Sequence, residues 1–405
     1  MAVIGPLSFY EFFAGAGLAR LGMGEAWRCV WANDIDPKKA VVYIHNFGSD
    51  ELTVCDVAEI DPLSLSLKVD MAWASFPCQD LSLAGWRRGM SAERSGTFWA
   101  FWRIMRDLYD RGDMPPIIVL ENVMGLLYDE DFPGLCEALA ALDLQFGALV
   151  IDAKHFLPQS RQRVFIIGVK ADINVKSFLT KTTEGSPWIP KALLSAHAKL
   201  SPSLYRLWRW WKLPTPSFPV PSLADIIEED PSSVDWNTPE ETQRLLEMMT
   251  PPNRQKIEKA FLSGSRMVGT LYKRTRNGVQ RAEVRFDGIA GCLRTPQGGA
   301  SRQTILIVDK REVKSRLLSP REAARLMGAP DTFWLPDKYN DAYRAMGDAV
   351  AVPVVSWLSR HLLTPLALTV RTASKKQSPK KDNDRSIRYR LTAERLASKW
   401  RSMQQ

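Results

Sequence analysis

An α/β fold with helices packed around a largely parallel sheet is what this sequence predicts, on three observations. Residues 7–13, Leu-Ser-Phe-Tyr-Glu-Phe-Phe, read as a strand that runs straight into Ala14-Gly15-Ala16-Gly17-Leu18 and a helical pattern reaching Ala26. In a strand, glycine turn and helix of this Rossmann-like kind, the glycines let the backbone approach a ligand and the helix N-terminus offers free N–H groups. A second strand, 28–33, ends in Asp34-Ile35-Asp36-Pro37, about twenty residues past the glycines, where an acidic side chain can hydrogen-bond ribose hydroxyls. The β-branched run Ile117-Ile118-Val119-Leu120, introduced by Pro115-Pro116, reads as a buried parallel strand.

The remaining elements follow in order. Asp36 precedes Pro37 as a helix cap would, opening a helix to Ile44. A short strand at 53–57 carries Asp56, which can accept from an adenine amine or serve as a bare cap. The strand at 69–76 must stop at Pro77, since proline cannot donate to a ladder, so Cys78 sits at a strand end, where reacting groups of open α/β sheets collect. Such a cysteine is either a buried structural thiol or a nucleophile activated by its surroundings. Residues 87–96 read as a glycine- and charge-rich loop before an amphipathic helix at 97–111.

Glu121, directly after the buried run at 117–120, is either a hydrogen-bond anchor or an acid/base group, because an unpaired carboxylate there is costly to bury. A helix at 132–142, a strand at 148–152 and a strand at 164–169 come next. Arg161 and Arg163 alternate at the entrance to the last of these, which suits anion or base-edge recognition as well as a surface ion pair. From Asp172 to Leu318 the alternation of strand and helix gives way to prolines and tryptophans (Trp208, Trp210, Trp211), which read as core more readily than as a stacking platform. A loop rich in glycine and arginine, with Arg294 and Arg302, leads into a strand at 304–308. Donor-rich loops of this kind suit contacts with base edges and phosphates. Ser319-Pro320-Arg321-Glu322 opens a capped helix to Met327, and an apolar helix at 354–362 closes the ordered chain.

At 405 residues the chain exceeds a single core, which predicts two domains and a tail. No apolar run approaches the roughly 20 residues that span a bilayer, and Glu11 interrupts the N-terminus where a signal peptide would be apolar, so a cytoplasmic protein is expected. Five cysteines stand singly among only four histidines, which points to reduced thiols and to neither a disulfide framework nor a metal site. The net charge of +9 is uneven: residues 371–405 hold eleven Lys/Arg against three Asp/Glu, and 266–316 twelve against four, whereas 221–247 is acidic by eight to one. Clustered positive charge suits a polyanion through phosphate neutralisation; a solvated appendage is the plainer reading of the tail.

In chain order stand Phe-Ala-Gly-x-Gly, an acidic residue after the second strand, Phe-Pro-Cys-Gln, Arg-Ser-Gly-Thr, Glu-Asn-Val, Gln-x-Arg-x-Arg, Arg-Glu-Ala-Ala-Arg-Leu-Met-Gly and Gly-Asp-Ala-Val. This series resembles the DNA (cytosine-5)-methyltransferase family of the bacterial restriction-modification type, over residues 7–170 and 315–363. The resemblance implies a Rossmann-like S-adenosylmethionine-dependent methyltransferase domain at 1–185 and 319–369. A second, smaller irregular target-recognition domain would occupy 186–318, and a basic C-terminal tail 370–405. It implies that Cys78 adds to carbon 6 of a cytosine flipped out of duplex DNA, that Glu121 protonates ring nitrogen 3, and that Arg163 meets the carbonyl oxygen with Arg161 in support. For the cofactor it implies Phe13 on adenine, Gly15, Gly17, Asp348 and Ala349 beside the methionine moiety, Asp34 on the ribose, Asp56 on the adenine amine and Pro77 in the same pocket. Gln79, Ser82, Arg294 and Arg302 would contact DNA.

The implied protein is a monomer acting on double-stranded DNA, with no membrane or metal, in the cytoplasm and nucleoid of a prokaryote or phage, and with a restriction endonuclease as its genetic partner. Asp348 stands where the family more often has asparagine, and Leu18 where a further glycine is common. An RNA cytosine methyltransferase, a catalytically silent DNA-binding protein of the same fold and an unrelated Rossmann oxidoreductase are the rival readings. The large variable region argues against the first, and intact Cys78, Glu121 and Arg163 against the second. The third leaves the segments around Cys78 and Glu121 unexplained.

Overall fold

The computed structural model describes residues 5–65, 67–77, 96–130, 132–276, 278–294, 302–310 and 312–376. Residues 78–95, with Cys78, Gln79 and Ser82, lie outside the described residues, as does the basic tail from 377 onward. The chain divides into two units, Met1–Ala367 and Leu368–Gln405.

In the first unit, β1 (Leu7–Phe12) leads through the glycine turn to α1 (Leu18–Met23), and β2 (Trp27–Asp34) to α2 (Pro37–Phe47). Then follow β3 (Leu52–Val54), β4 (Met71–Ala74), α3 (Thr97–Arg111), β5 (Ile117–Val123), α4 (Phe132–Ala140), β6 (Leu144–Asp152) and β7 (Gln162–Lys170). These seven strands form one sheet in the order β3-β2-β1-β4-β5-β7-β6. From β3 to β5 every neighbouring pair is parallel, whereas β7 runs antiparallel to both β5 and β6. Strands β4 and β6 are buried along their whole length, as strands covered on both faces by helices must be.

The direction of strand succession reverses between β1 and β4, which are neighbours with Phe12 opposite Ala74. A sheet of this kind opens a crevice at such a switch, beyond the carboxyl ends of the strands. Both the glycine turn after β1 and the Pro77 segment after β4 leave the sheet there.

Local chemistry sets several boundaries. Asp36 caps α2 by accepting from the Lys38 amide at 2.9 Å, with Pro37 preorganised behind it. Helix α1 ends at Met23, short of Ala26, because Gly24 breaks it with φ 66°. The strand expected at 53–57 is only Leu52–Val54: Asp56 turns the chain into a short 3₁₀ turn, Val57–Glu59, whose Ala58 amide it accepts. Strand β5 runs past the expected end at Leu120, so Glu121 lies within a paired strand, opposite Phe165 of β7.

The stretch expected to be irregular contains regular elements. Helices α5 (Lys191–His197), α6 (Pro202–Leu207), α7 (Leu223–Ile226), α8 (Pro239–Glu247) and α9 (Pro251–Leu262) precede four strands, β8 (Met267–Arg276), β9 (Val279–Arg285), β10 (Thr304–Asp309) and β11 (Glu312–Leu317). They form an antiparallel sheet in the order β11-β10-β8-β9, over a small core of Met249, Ile257, Leu271, Ala282, Val284 and Leu306. Strand β9 buries Ala282 and Val284 between exposed or half-exposed polar residues, an alternation short enough to lie within the stretch expected to be irregular. Residues 188–211 pack instead on the first sheet. Val150 N donates to Trp188 O at 2.9 Å and Arg209 N to Phe146 O at 2.7 Å, while Trp208 and Trp211 are buried.

Helix α10 (Pro320–Leu326) opens with a capping box, the Ser319 hydroxyl and Glu322 carboxylate each accepting the other's backbone N–H. Helices α11 (Tyr339–Asp348) and α12 (Val352–Leu358) follow. A π turn, Ser359–Leu363, then leads into α13 (Thr364–Lys376), so the first residues assigned to the tail are helical. In the second unit, Thr372 and Ser374 turn their hydroxyls back on helix carbonyls, those of Leu368 at 2.8 Å and Val370 at 3.1 Å. No helix among the described residues is long and apolar enough to cross a membrane.

Candidate active site

The first half of the site is the glycine turn. Phe13 leaves β1 with φ 59°, a conformation costly for a bulky residue, and stays only partly buried against the core. Gly15 and Gly17 follow with φ 57° and 81°, which only glycine adopts readily. A Cβ on Gly17 would strike the rings of Phe47 at 2.4 Å and Tyr43 at 2.9 Å. One on Gly15 would meet only Lys39 Cδ, at 4.0 Å, so open space borders that residue.

Asp34, at the carboxyl end of β2, shapes the turn. One of its carboxylate oxygens accepts from Gly15 N and the other from Asp36 N, both at 2.8 Å. Asn33 ties β2 to the next strand end, donating to Thr53 O at 3.2 Å and Cys55 O at 2.9 Å. Beneath the turn Glu11 is fully buried: Oε1 accepts from Arg20 N at 3.2 Å and Oε2 has no hydrogen-bond partner. Burial pushes its carboxyl up to about 8.

The second half surrounds Glu121. Its Oε1 lies 3.1 Å from Arg163 Nε, both side chains being mostly buried. The register explains the meeting: Arg163 of β7 stands opposite Val123, two residues along from Glu121 on the same face, which makes a diagonal cross-strand pair. The neighbouring Asn122 is also buried and donates to Phe76 O at 3.0 Å, so β5 holds the segment that carries Pro77 and, next in sequence, Cys78.

Arg161 is a buried hub. Its guanidinium donates to Cys292 Sγ at 3.3 Å, Leu293 O at 3.1 Å, Gly347 O at 3.0 Å and Ala349 O at 2.5 Å. Burial, reinforced by Arg163, lowers it to about 10. Burial also raises the Cys292 thiol, but the cations of Arg161, Arg163 and Arg294 outweigh that and leave it below its ordinary value. Gln159, fully buried, joins the same parts: it donates to Leu326 O at 2.6 Å and accepts from Leu293 N at 3.2 Å.

The structure thus brings Glu121 and Arg163 together, and clusters Phe13, Gly15, Gly17 and Asp34 around the glycine turn. Pro77 is exposed at the end of the β4 segment. Asp56 caps its 3₁₀ turn. Asp348 ends α11 and pairs with Lys39 at 2.7 Å, and Ala349 follows it as an Arg161 acceptor. Arg294 is exposed. Arg302 is engaged by α11, donating to Asn340 Oδ1 with its guanidinium 5.4 Å from the Tyr339 ring centre. Cys78, Gln79 and Ser82 lie outside the described residues. Asn122, Gln159, Cys292 and Lys39 are the participants that sequence reasoning left without a role. Of these, the first two stand in recognisable motifs, while nothing local marks Cys292 or Lys39.

The model of the C-5 cytosine-specific DNA methylases matches residues 7–363. The chain is 26% identical to the Type II methyltransferase M.HpaII of Haemophilus parainfluenzae, over 89% of this chain and 90% of that one. It is also 26% identical to M.HhaI of Haemophilus parahaemolyticus, over 88% and 94%. Among solved structures, the Dnmt2 methyltransferase of S. pombe shares the fold with a TM-score of 0.55 at 16% identity, covering 89% of this chain and 99% of that one.

Proposed function

The chain belongs to the C-5 cytosine-specific DNA methylase family, and from that premise we propose that it methylates carbon 5 of a cytosine flipped out of a specific site in duplex DNA, as the modification partner of a restriction system. The observation that carries the reading is the Glu121–Arg163 pair at the carboxyl edge of the sheet, on the strand beside the one that leads to Cys78. Carbon 5 of cytosine is a poor nucleophile. Attack by the Cys78 thiolate on carbon 6 makes carbon 5 electron-rich, and negative charge spreads toward ring nitrogen 3 and the carbonyl oxygen. Glu121 delivers a proton to nitrogen 3 and Arg163 donates to the oxygen, so both charges are met by side chains already oriented by a paired strand. Arg161 is a positioning residue that fastens the strand entrance to residues 293, 347 and 349. After methyl transfer, loss of the carbon 5 proton to a base re-forms the ring double bond and expels the Cys78 thiolate, while the proton on nitrogen 3 returns to the Glu121 carboxylate.

S-adenosylmethionine, when bound, supplies an electrophilic methyl group. The residues present fit it: open space at Gly15 admits a ligand beside the backbone, Asp34, whose carboxylate already borders Gly15, would accept from the ribose, and the partly buried Phe13 would offer a ring face. Gln79, Ser82 and Arg294 would hold DNA, whereas Arg302 would first have to leave Asn340. The region 186–318 would read the target sequence, and the tail would add affinity independent of sequence.

Bisulfite sequencing of DNA from cells expressing the protein tests this. Wild type is expected to protect cytosines at one recurrent sequence, and Cys78→Ser at none. Near-normal methylation by Cys78→Ser sinks the covalent mechanism, and no methylated DNA with wild type sinks the function.

A further inference from the structure

A cavity of about 510 Å³ opens at the edge of the sheet opposite the glycine turn and Glu121, with Gln145, Asp172, Lys176, Trp208, Arg209 and Trp210 among its walls. Gln145, near the start of β6, stands level with Val169 of β7 and, beyond it, with Ile117 at the start of β5. Asp152, at the other end of β6, is roughly 23 Å further along the strand.

Packing brings Arg209 to this place. A Cβ on Gly147 would lie 1.7 Å from Arg209 O, so only glycine lets the segment run this close along β6. The guanidinium is then braced by neutral groups: Nε donates to Gln145 Oε1 at 2.7 Å, and Nη1 to Arg206 O and Trp208 O, each at 2.8 Å. Nη2 has no partner among the described residues and stays accessible. Burial pushes the group below its ordinary value, and no carboxylate offsets that push. Asp172, the acidic residue in the cavity wall, is exposed and forms no ion pair with Arg209. A half-buried cation, oriented by three neutral acceptors and with N–H groups to spare, is a preformed anion site.

The walls add a second requirement. Trp208 and Trp211 are core, whereas Trp210 is half-buried, its ring centre 5.4 Å from that of Trp208 and 4.8 Å from that of His197. An aromatic wall beside a cation suits a planar base joined to an anion. Charge favours phosphate as that anion, because residues 170–212 hold eight Lys/Arg against two Asp/Glu.

We propose that this cavity is a nucleotide site, with the base against Trp210 and the phosphate at Arg209 and Lys176. Its volume falls within the roughly 300–1,000 Å³ of small-ligand sites. A free mononucleotide and one unit of a single strand share this chemistry. The site lies away from the methyl-transfer crevice and does not depend on it.

Calorimetric titration of the full-length protein with thymidine 5′-monophosphate, thymidine and inorganic phosphate, with and without S-adenosylhomocysteine, tests the site. The monophosphate is expected to bind equally well in both conditions, and thymidine or phosphate at least about tenfold more weakly. Arg209→Met should weaken the monophosphate about tenfold and thymidine less than about twofold, and Lys176→Glu should weaken the monophosphate about threefold. Lys176 is exposed, so its substitution carries the test if Arg209→Met does not fold. No binding by the wild type, or wild-type affinity in the folded variants, overturns the site. Competition by S-adenosylhomocysteine would place the nucleotide in the cofactor crevice and equally overturn it. Octathymidylate then separates the sources: matching losses in the variants assign the nucleotide to a strand, and losses confined to the monophosphate assign it to a free ligand.

Discussion

The two halves of the sheet's carboxyl edge are held in opposite ways. Around the glycine turn the carboxylates accept backbone amides close at hand: Asp34 takes Asp36 N, Asp36 takes Lys38 N and Asp56 takes Ala58 N, each two residues on. Around Glu121 the polar groups reach across the chain. Asn122 meets Phe76, 46 residues away, Gln159 meets Leu326 at a separation of 167, and Arg161 meets Gly347 at 186. The turns of the cofactor half can form by themselves before α11 docks on α2 through the pairs Lys38–Asp341, Lys39–Asp348 and Arg344–Asp36, whereas the polar groups of the base half find partners only once distant segments have docked. A local cap is forgiving, because water or a neighbouring amide can replace it. A buried long-range hub is not, since its loss strands several groups at once.

That contrast breaks most visibly at Arg161. Replacing it by Met removes the donor shared by the buried Gly347 carbonyl, the half-buried Ala349 carbonyl and the Cys292 thiol, and one of two donors to Leu293 O, which Cys292 Sγ also meets at 3.4 Å; each stranded buried group costs about 1–3 kcal/mol. Urea unfolding should therefore show a loss of about 3 kcal/mol or more, with DNA methylation abolished. Arg161→Lys should recover little, because one ammonium cannot span carbonyls that a planar fork reaches together. A loss under about 1 kcal/mol in Arg161→Met would mean that the base half is held elsewhere.

Glu11 is the cofactor half's exception, a carboxyl buried with one oxygen unpartnered. Burial raises it from the ordinary 4.5 to about 8 in the folded protein, so the native state keeps a proton that the unfolded chain releases. Its contribution to stability is therefore complete below about pH 4.5 and is lost as pH rises toward about 8, levelling off beyond. Glu11→Gln cannot ionise and should flatten this decline, gaining on wild type as pH increases. Melting temperatures of the two proteins at about pH 5, 6.5 and 8 measure the gap. A gap independent of pH would show that Glu11 does not titrate in that window.

The same division governs what could be read from sequence. Strand β1, the glycine turn, the Asp36–Pro37 and Ser319–Pro320 caps and helix α3 were legible because each is specified by neighbouring residues. Glu121 and Arg163 were visible as separate candidates, but their pairing depends on the antiparallel register of β5 and β7, which no local pattern encodes. Arg161 illustrates the limit: its alternation with Arg163 suggested two arginines facing one way, yet one is a buried hub and the other an ion-pair partner. Of the antiparallel sheet over 267–317 only the apolar strand at 304–308 is legible; β9 buries just Ala282 and Val284 among exposed or half-exposed polar residues, and its pairing with β8 depends on register. Lys39 was invisible, since its partner Asp348 lies on a helix more than three hundred residues later in the chain.

The smallest effect distinguishes two roles for Asp56. Its carboxylate caps the turn at Ala58, and the same carboxylate is the candidate acceptor for the adenine amine. Serine caps about as well as aspartate, so Asp56→Ser should leave stability within about 0.5 kcal/mol of wild type, whereas Asp56→Ala loses about 1 kcal/mol. A shorter, neutral hydroxyl does not replace the carboxylate toward a ligand. If Asp56 reads adenine, Asp56→Ser should weaken S-adenosylhomocysteine and methylthioadenosine alike, by about threefold, because both carry the base. A matched loss for both ligands, which share the nucleoside and differ in the amino-acid end, would assign Asp56 to the base. Wild-type affinity in Asp56→Ser would leave Asp56 as a cap, and the cofactor half would then carry a carboxylate used only to fold it.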